Sequence, residues 1–121
     1  MRNLLALIIE DDEPLSEVIS ISLQQAGFDT IATHDGQRAL KQLHLIVPDL
    51  IVLDLHLPNV SGKTILEYIR AEDRLHRIRV FLTTADGFLA DELAAKADMV
   101  LIKPFRLNQL YRSARQVANN N

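Results

Sequence analysis

Four short runs in this 121-residue chain are apolar at almost every position, and segments with helical spacing separate them. Leu4-Leu-Ala-Leu-Ile-Ile9 is the longest. Leu50-Ile-Val-Leu53, the centre of Arg79-Val-Phe-Leu-Thr83, and Met99-Val-Leu-Ile102 repeat the pattern. A strand with one wet face alternates apolar with polar residues. An unbroken apolar run reads instead as a strand buried on both faces, which marks a parallel sheet. A less apolar run, Phe28 to Thr33, supplies one more strand.

The segments between them read as helices. Pro14 suits a first helical turn, Leu15, Val18, Ile19 and Ala26 follow at helical spacing, and Gly27 ends the run. Residues 35–46 place Ala39, Leu40, Leu43 and Ile46 on one face, and Pro48-Asp49 breaks the pattern. A loop with Pro58, Asn59 and Gly62 leads to Ile65, Leu66 and Ile69. Residues 87–96 make a short helix. Leu107, Leu110, Tyr111, Ala114 and Val117 stripe a last one, with three arginines on its outer side. Five βα units in strict alternation predict an α/β fold: a doubly wound five-stranded parallel sheet with helices on both faces. Residues 1–121 read as a single domain, with Asn119 to Asn121 as a disordered tail or the start of a linker.

Composition narrows the function. The chain has no cysteine, so disulfides, thiolate metal sites and cysteine nucleophiles are excluded, and a reducing cytoplasm fits. The longest apolar run is far too short to span a bilayer, and no secretory leader is visible. A net charge of −3 argues against direct nucleic-acid binding. That charge is unevenly laid out. Residues 1–60 hold nine acids and three bases, for −6, and residues 61–121 hold seven acids and ten bases, for +3.

In an open parallel sheet, ligands bind beyond the carboxyl ends of the strands. The first strand ends in Glu10-Asp-Asp-Glu13, the third in Asp54, the fourth in Thr83-Thr84 and the fifth in Lys103-Pro104. Packed carboxylates repel one another, and a hard divalent cation relieves this. Oxygen donors with open water positions suit Mg²⁺ better than Zn²⁺. A lysine and a threonine hydroxyl beside that cation bind phosphoryl oxygens, and an aspartate among them can become an aspartyl phosphate.

The sequence resembles the receiver domains of two-component response regulators over residues 3–118. The resemblance is carried by Leu7-Ile-Ile-Glu-Asp-Asp-Glu-Pro14, Pro48-Asp-Leu-Ile-Val-Leu-Asp54 with Leu57-Pro58 and Gly62, Leu82-Thr-Thr-Ala85, and Lys103-Pro-Phe105. It implies the flavodoxin-like fold with strand order 2-1-3-4-5. It makes Asp54 the phosphoacceptor, Thr84 the switch hydroxyl and Lys103 the phosphoryl contact. It makes Asp11, Asp54 and the backbone carbonyl of His56 the Mg²⁺ ligands, with Glu10 acting through water, and it makes the bond before Pro104 cis. Thr84 is preferred to Thr83 because it directly precedes Ala85. The implied partners are a sensor histidine kinase or phosphotransfer protein and an unidentified output domain or protein. A homodimer through helix 4, strand 5 and helix 5 is also implied. The resemblance further implies a module that catalyses its own phosphorylation and dephosphorylation without being a dedicated enzyme.

Three features depart from the family pattern. Val100 stands where an aromatic is usual, three residues before the lysine, and Lys96 replaces a glycine. The segment from Thr84 to Lys103 is short, which predicts a reduced fourth helix.

Plainer readings compete at several positions. Asp12 and Glu13 suit a helix cap, and Thr83 suits strand packing. His56 reads as a solvated loop residue, or as a group that biases access of hydrolytic water. Arg70, Arg74, Arg77 and Arg79 read as a solvated face or a docking patch, and His34, His44 and His76 lack ligand spacing. Rival functions are a haloacid-dehalogenase-type hydrolase, a flavin or nucleotide binder, and a constitutive protein-interaction module on the same fold. The first wants an acid where His56 stands. The second wants a phosphate loop where four acids stand.

Overall fold

Every strand expected from the apolar runs forms in the computed structural model of the chain, which describes residues 3–120. The strands are β1 (Leu4–Ile9), β2 (Phe28–Thr33), β3 (Leu50–Asp54), β4 (Arg79–Thr84) and β5 (Met99–Ile102). All neighbours pair in parallel, in the order β2-β1-β3-β4-β5. The helices are α1 (Glu13–Gln25), α2 (Gly36–Leu45), α3 (Gly62–Ala71), α4 (Gly87–Leu93) and α5 (Leu107–Asn119).

Alternation along the strands divides the core between the two faces of the sheet. Ala6, Ile8, Leu50, Val52, Phe81 and Leu101 pack against Ile19 and Leu23 of α1 and Leu110 and Ala114 of α5. Leu7, Ile9, Ile51, Leu53, Val80 and Leu82 pack against α2, α3 and α4 through Ala39, Leu43, Ile65, Leu66, Ile69 and Leu93. Because both faces are covered, the strands need apolar residues at every position, which is why the runs are unbroken.

Helix starts are set by short polar side chains. Asp12, Asp35, Ser61 and Asp86 cap α1 to α4, each accepting a hydrogen bond from a first-turn N–H. The capping reading of Asp12 is therefore met: it takes the N–H of Leu15 at 3.1 Å. Gly27, at φ +110°, turns the chain from α1 into β2 in a conformation other residues rarely adopt.

Several expectations need correction. Val18 and Leu107 are each 39% exposed, and Ser16 and Ser22 take buried positions of α1 instead. The helix phase follows the whole packed stripe, and these two residues fall at its edge. Ile46 lies beyond α2, as its C-cap. The segment 87–96 is α-helical only to Leu93, and a 3₁₀ turn, Ala94–Lys96, completes it, so helix 4 is indeed short. Asn119 belongs to α5, and Asn120 caps it with its N–H on the carbonyl of Gln116, while Asn121 lies outside the described residues.

Arg70 is half-buried and not part of a solvated face, while Arg74 is exposed yet also has carbonyl partners. Arg70 donates to the carbonyls of Lys96, His76 and Ile78 and pairs with Asp98 at 3.3 Å. Arg74 donates to the carbonyls of Leu43 and Ile46. Arg70 ties the turn before β4 and the turn before β5 to α3, and Arg74 ties the end of α2 to the turn after α3, because a guanidinium can satisfy several carbonyls at once.

Candidate functional site

The parallel register brings the carboxyl ends of β1, β3, β4 and β5 to one edge of the sheet. Ile9 lies beside Leu53, Asp54 beside Thr83, and Thr84 beside Ile102. The residues just past β1 and β5, Glu10 and Lys103, then flank Asp54. Residues 93 apart in sequence meet here: Lys103 Nζ donates to Glu10 Oε1 at 2.9 Å. The same ammonium stands 3.5 Å from Asp54 Oδ2.

Glu10 and Asp54 are 1% and 2% exposed, so both carboxyls are inside the protein. Asp11 is exposed. Carboxylate oxygens of Glu10, Asp11 and Asp54 all lie within 4.8 Å of one another. Glu10 is held from several sides. Its Oε2 accepts the N–H of Asp12 at 3.2 Å, its own N–H donates to the carbonyl of Thr33, and its carbonyl meets Nδ1 of His34 at 3.0 Å. Asp54 Oδ1 accepts the N–H of His56 at 3.0 Å.

The electrostatics of this cluster are unbalanced. Burial pushes the Glu10 carboxyl up to about 7, against the pull of the Lys103 hydrogen bond, and the adjoining Asp54 carboxyl adds to the rise. For Lys103, burial works to lower the pKa, but the hydrogen bond and charge of Glu10, together with Asp54, outweigh it and leave a net rise. One ammonium is too little positive charge for three crowded carboxyls. The donor set is all oxygen, and the exposed Asp11 leaves one side open to water. These features fit a hard divalent cation such as Mg²⁺.

Thr84 sits apart from this cluster. It is fully buried, and its Oγ1 accepts the N–H of Asp86 at 3.0 Å and lies 2.9 Å from His56 Nε2. Among the described residues no hydrogen bond joins Thr84 to Asp54. Thr83 lies in register with Asp54, and its buried hydroxyl has no hydrogen-bond partner among the described residues, in keeping with a packing role. The Lys103–Pro104 bond is cis.

A family model described as response regulator receiver domain matches residues 6–115. The chain belongs to that family. A DNA-binding dual master transcriptional regulator, RpaA of Synechocystis sp., is 37% identical to the receiver over 112 residues, which is 90% of this chain and 46% of that protein. The transcriptional regulatory protein TrcR of Mycobacterium tuberculosis is 34% identical over 106 residues, 86% of this chain and 41% of that protein. The receiver thus spans less than half the length of these curated relatives. Among solved structures, the signal receiver domain of a putative Luxo repressor protein from Vibrio parahaemolyticus superposes with a TM-score of 0.87. It is 26% identical, and the match covers 99% of this chain and 92% of that one.

Sequence reasoning missed two things about the receiver's site. The His56 ring has a defined partner in Thr84 and is not simply a solvated loop group. The register of β3 against β4 contains that signal, since residues just past Asp54 must face residues just past Thr83. His34, which lacked ligand spacing, buttresses the Glu10 backbone. It does so from the end of β2, the strand beside β1.

Proposed function

We propose that this receiver accepts a phosphoryl group on Asp54 and passes the event on as a change of conformation. The observation that carries the reading is the setting of the Asp54 carboxylate. It is buried at the end of the central strand, with the Lys103 ammonium on one oxygen and the His56 N–H on the other, inside a ring of acids.

Asp11, Asp54, the His56 carbonyl and, through water, Glu10 are the residues that would hold Mg²⁺. When bound, it supplies positive charge for the phosphoryl oxygens. The steps belong to the chain itself. An Asp54 oxygen attacks phosphorus in line, the bond to the donor nitrogen or oxygen breaks, and its electron pair leaves with the donor. Lys103 neutralises charge on the transferred group, and burial keeps bulk water from the new acyl phosphate. Thr84 donates its hydroxyl proton to a phosphoryl oxygen. Hydrolysis, by in-line attack of water, resets the module.

The donor is a phosphohistidine of a sensor kinase or phosphotransfer protein. The output lies in a partner or in a further domain, as the greater length of RpaA and TrcR suggests. Phe88 is 91% exposed and Ile102 is 47% exposed, which supports the α4-β5-α5 face as the surface for output or pairing. No described helix is long and apolar enough to cross a membrane. The complete pocket favours switching over a constitutive interaction module.

The test is incubation with acetyl phosphate and Mg²⁺ followed by intact-mass measurement. One phosphate is expected on the wild type and none on Asp54→Asn. Equal labelling of the variant would reject Asp54.

A further inference from the structure

The Thr84 hydroxyl has one proton to give and two acceptor lobes. The N–H of Asp86 fills one lobe at 3.0 Å. His56 Nε2, at 2.9 Å, uses either the proton or the other lobe. His56 is also anchored at its backbone, where its N–H donates to Asp54 Oδ1. One residue therefore touches the phosphoacceptor with its main chain and the switch hydroxyl with its ring. Asp86 in turn caps α4, its Oδ1 accepting the N–H groups of Phe88 and Leu89. The Thr84 hydroxyl thus links the loop after β3 to the first turn of α4.

We propose that the His56 imidazole is a positioning group that holds Thr84 in the resting receiver, so that switching exchanges the His56–Thr84 hydrogen bond for one from Thr84 to the phosphoryl group. The proposal rests on the reading of Asp54 as phosphoacceptor. If Nε2 is unprotonated, it holds the only hydroxyl proton, and a phosphoryl oxygen must displace it. If Nε2 carries the proton, the hydroxyl is fixed between two donors, and His56 must let go when Thr84 moves. In both tautomers the resting state is favoured by one hydrogen bond that the switched state lacks. The histidine is exposed, so the released ring returns to water with little penalty. The resting bond to the Asp86 N–H is drawn on by the same movement, which carries the event to α4.

The test has two readouts on the purified chain. The first is the ¹⁵N resonance of His56 Nε2 in the resting protein, which should move on Thr84→Ala. The second is the apparent affinity for beryllofluoride in Mg²⁺. His56→Ala should tighten it by about two- to tenfold, the equilibrium value of one net hydrogen bond. His56→Gln, whose side-chain amide can donate to Oγ1, should move it back toward wild type. In the Thr84→Ala background, the His56→Ala effect should fall below half its wild-type size. An unmoved Nε2 resonance, unchanged or weaker affinity in His56→Ala, or full additivity would each overturn the proposal. Failure of the wild type to take beryllofluoride, with Nε2 still responding to Thr84→Ala, would instead overturn the phosphoacceptor reading, and the exchange would fall with it.

Discussion

Glu10→Gln isolates the electrostatic strain of the acidic pocket. In the folded protein the Glu10 carboxyl is pushed from its ordinary 4.5 up to about 7, chiefly by burial. Glu10 is 1% exposed, so solvent screening does little to reduce the effect. A folded-state value above the unfolded one means that the native protein binds the proton more tightly. The associated stability is fully present below pH 4.5 and is lost as pH rises through about 7. At about 1.4 kcal/mol per pH unit the total is roughly 3 kcal/mol, and most of it falls between pH 5 and 8. The assay is urea unfolding in EDTA at pH 5, 6, 7 and 8, on wild type and Glu10→Gln. The other titrating groups, including four histidines, are common to both proteins, so the informative quantity is the difference between the two curves. Wild type should lose roughly 2–3 kcal/mol more than the variant across that range. Mg²⁺ at pH 8 should restore stability to the wild type, because a bound cation balances the ionised carboxyls. Parallel curves for the two proteins would refute the argument that burial of Glu10 strains the acidic pocket.

Three further outcomes follow from the geometry. Arg70→Ala should destabilise the fold by roughly 2–3 kcal/mol in urea unfolding, since three carbonyls lose this donor and Asp98 loses one of its partners. Arg70→Lys should recover little, because an ammonium lacks the planar fork. Gly62→Ala should cost roughly 2 kcal/mol or more and weaken phosphorylation as well, since an added Cβ would stand 2.3 Å from the carbonyl oxygen of Asp54. Asp11→Ala should raise the Mg²⁺ dissociation constant at least tenfold in a fluorescence or calorimetric titration, with unfolding stability in EDTA changed by less than about 0.5 kcal/mol, because Asp11 is exposed.

The sequence determined the fold because burial on both faces of a parallel sheet leaves a mark at every strand position. Leu4 to Ile9 and Leu50 to Leu53 have no polar residue to mislead the reading. Helix starts were equally plain where a capping side chain does the work, as at Asp12. The helix faces were less so. Val18 and Leu107 share the apolar character of their buried neighbours, and only the placing of α1 beside α5 leaves them partly in water.

The acids and Lys103 were legible as a group because strand ends of a parallel sheet converge, so local pattern plus topology brings Glu10, Asp54 and Lys103 together. What the tertiary structure alone decided lies in contacts between residues that carry no pattern of their own. Arg70 and Arg74 look like ordinary surface charges in the sequence, and their carbonyl partners are backbone groups with no sequence signature. His56 and Thr84 are 28 residues apart, and their hydrogen bond depends on the register of β3 against β4 and on the course of one loop. Apolar burial is written residue by residue into the chain, while a single polar contact exists only once two distant segments have been set to within about 3 Å.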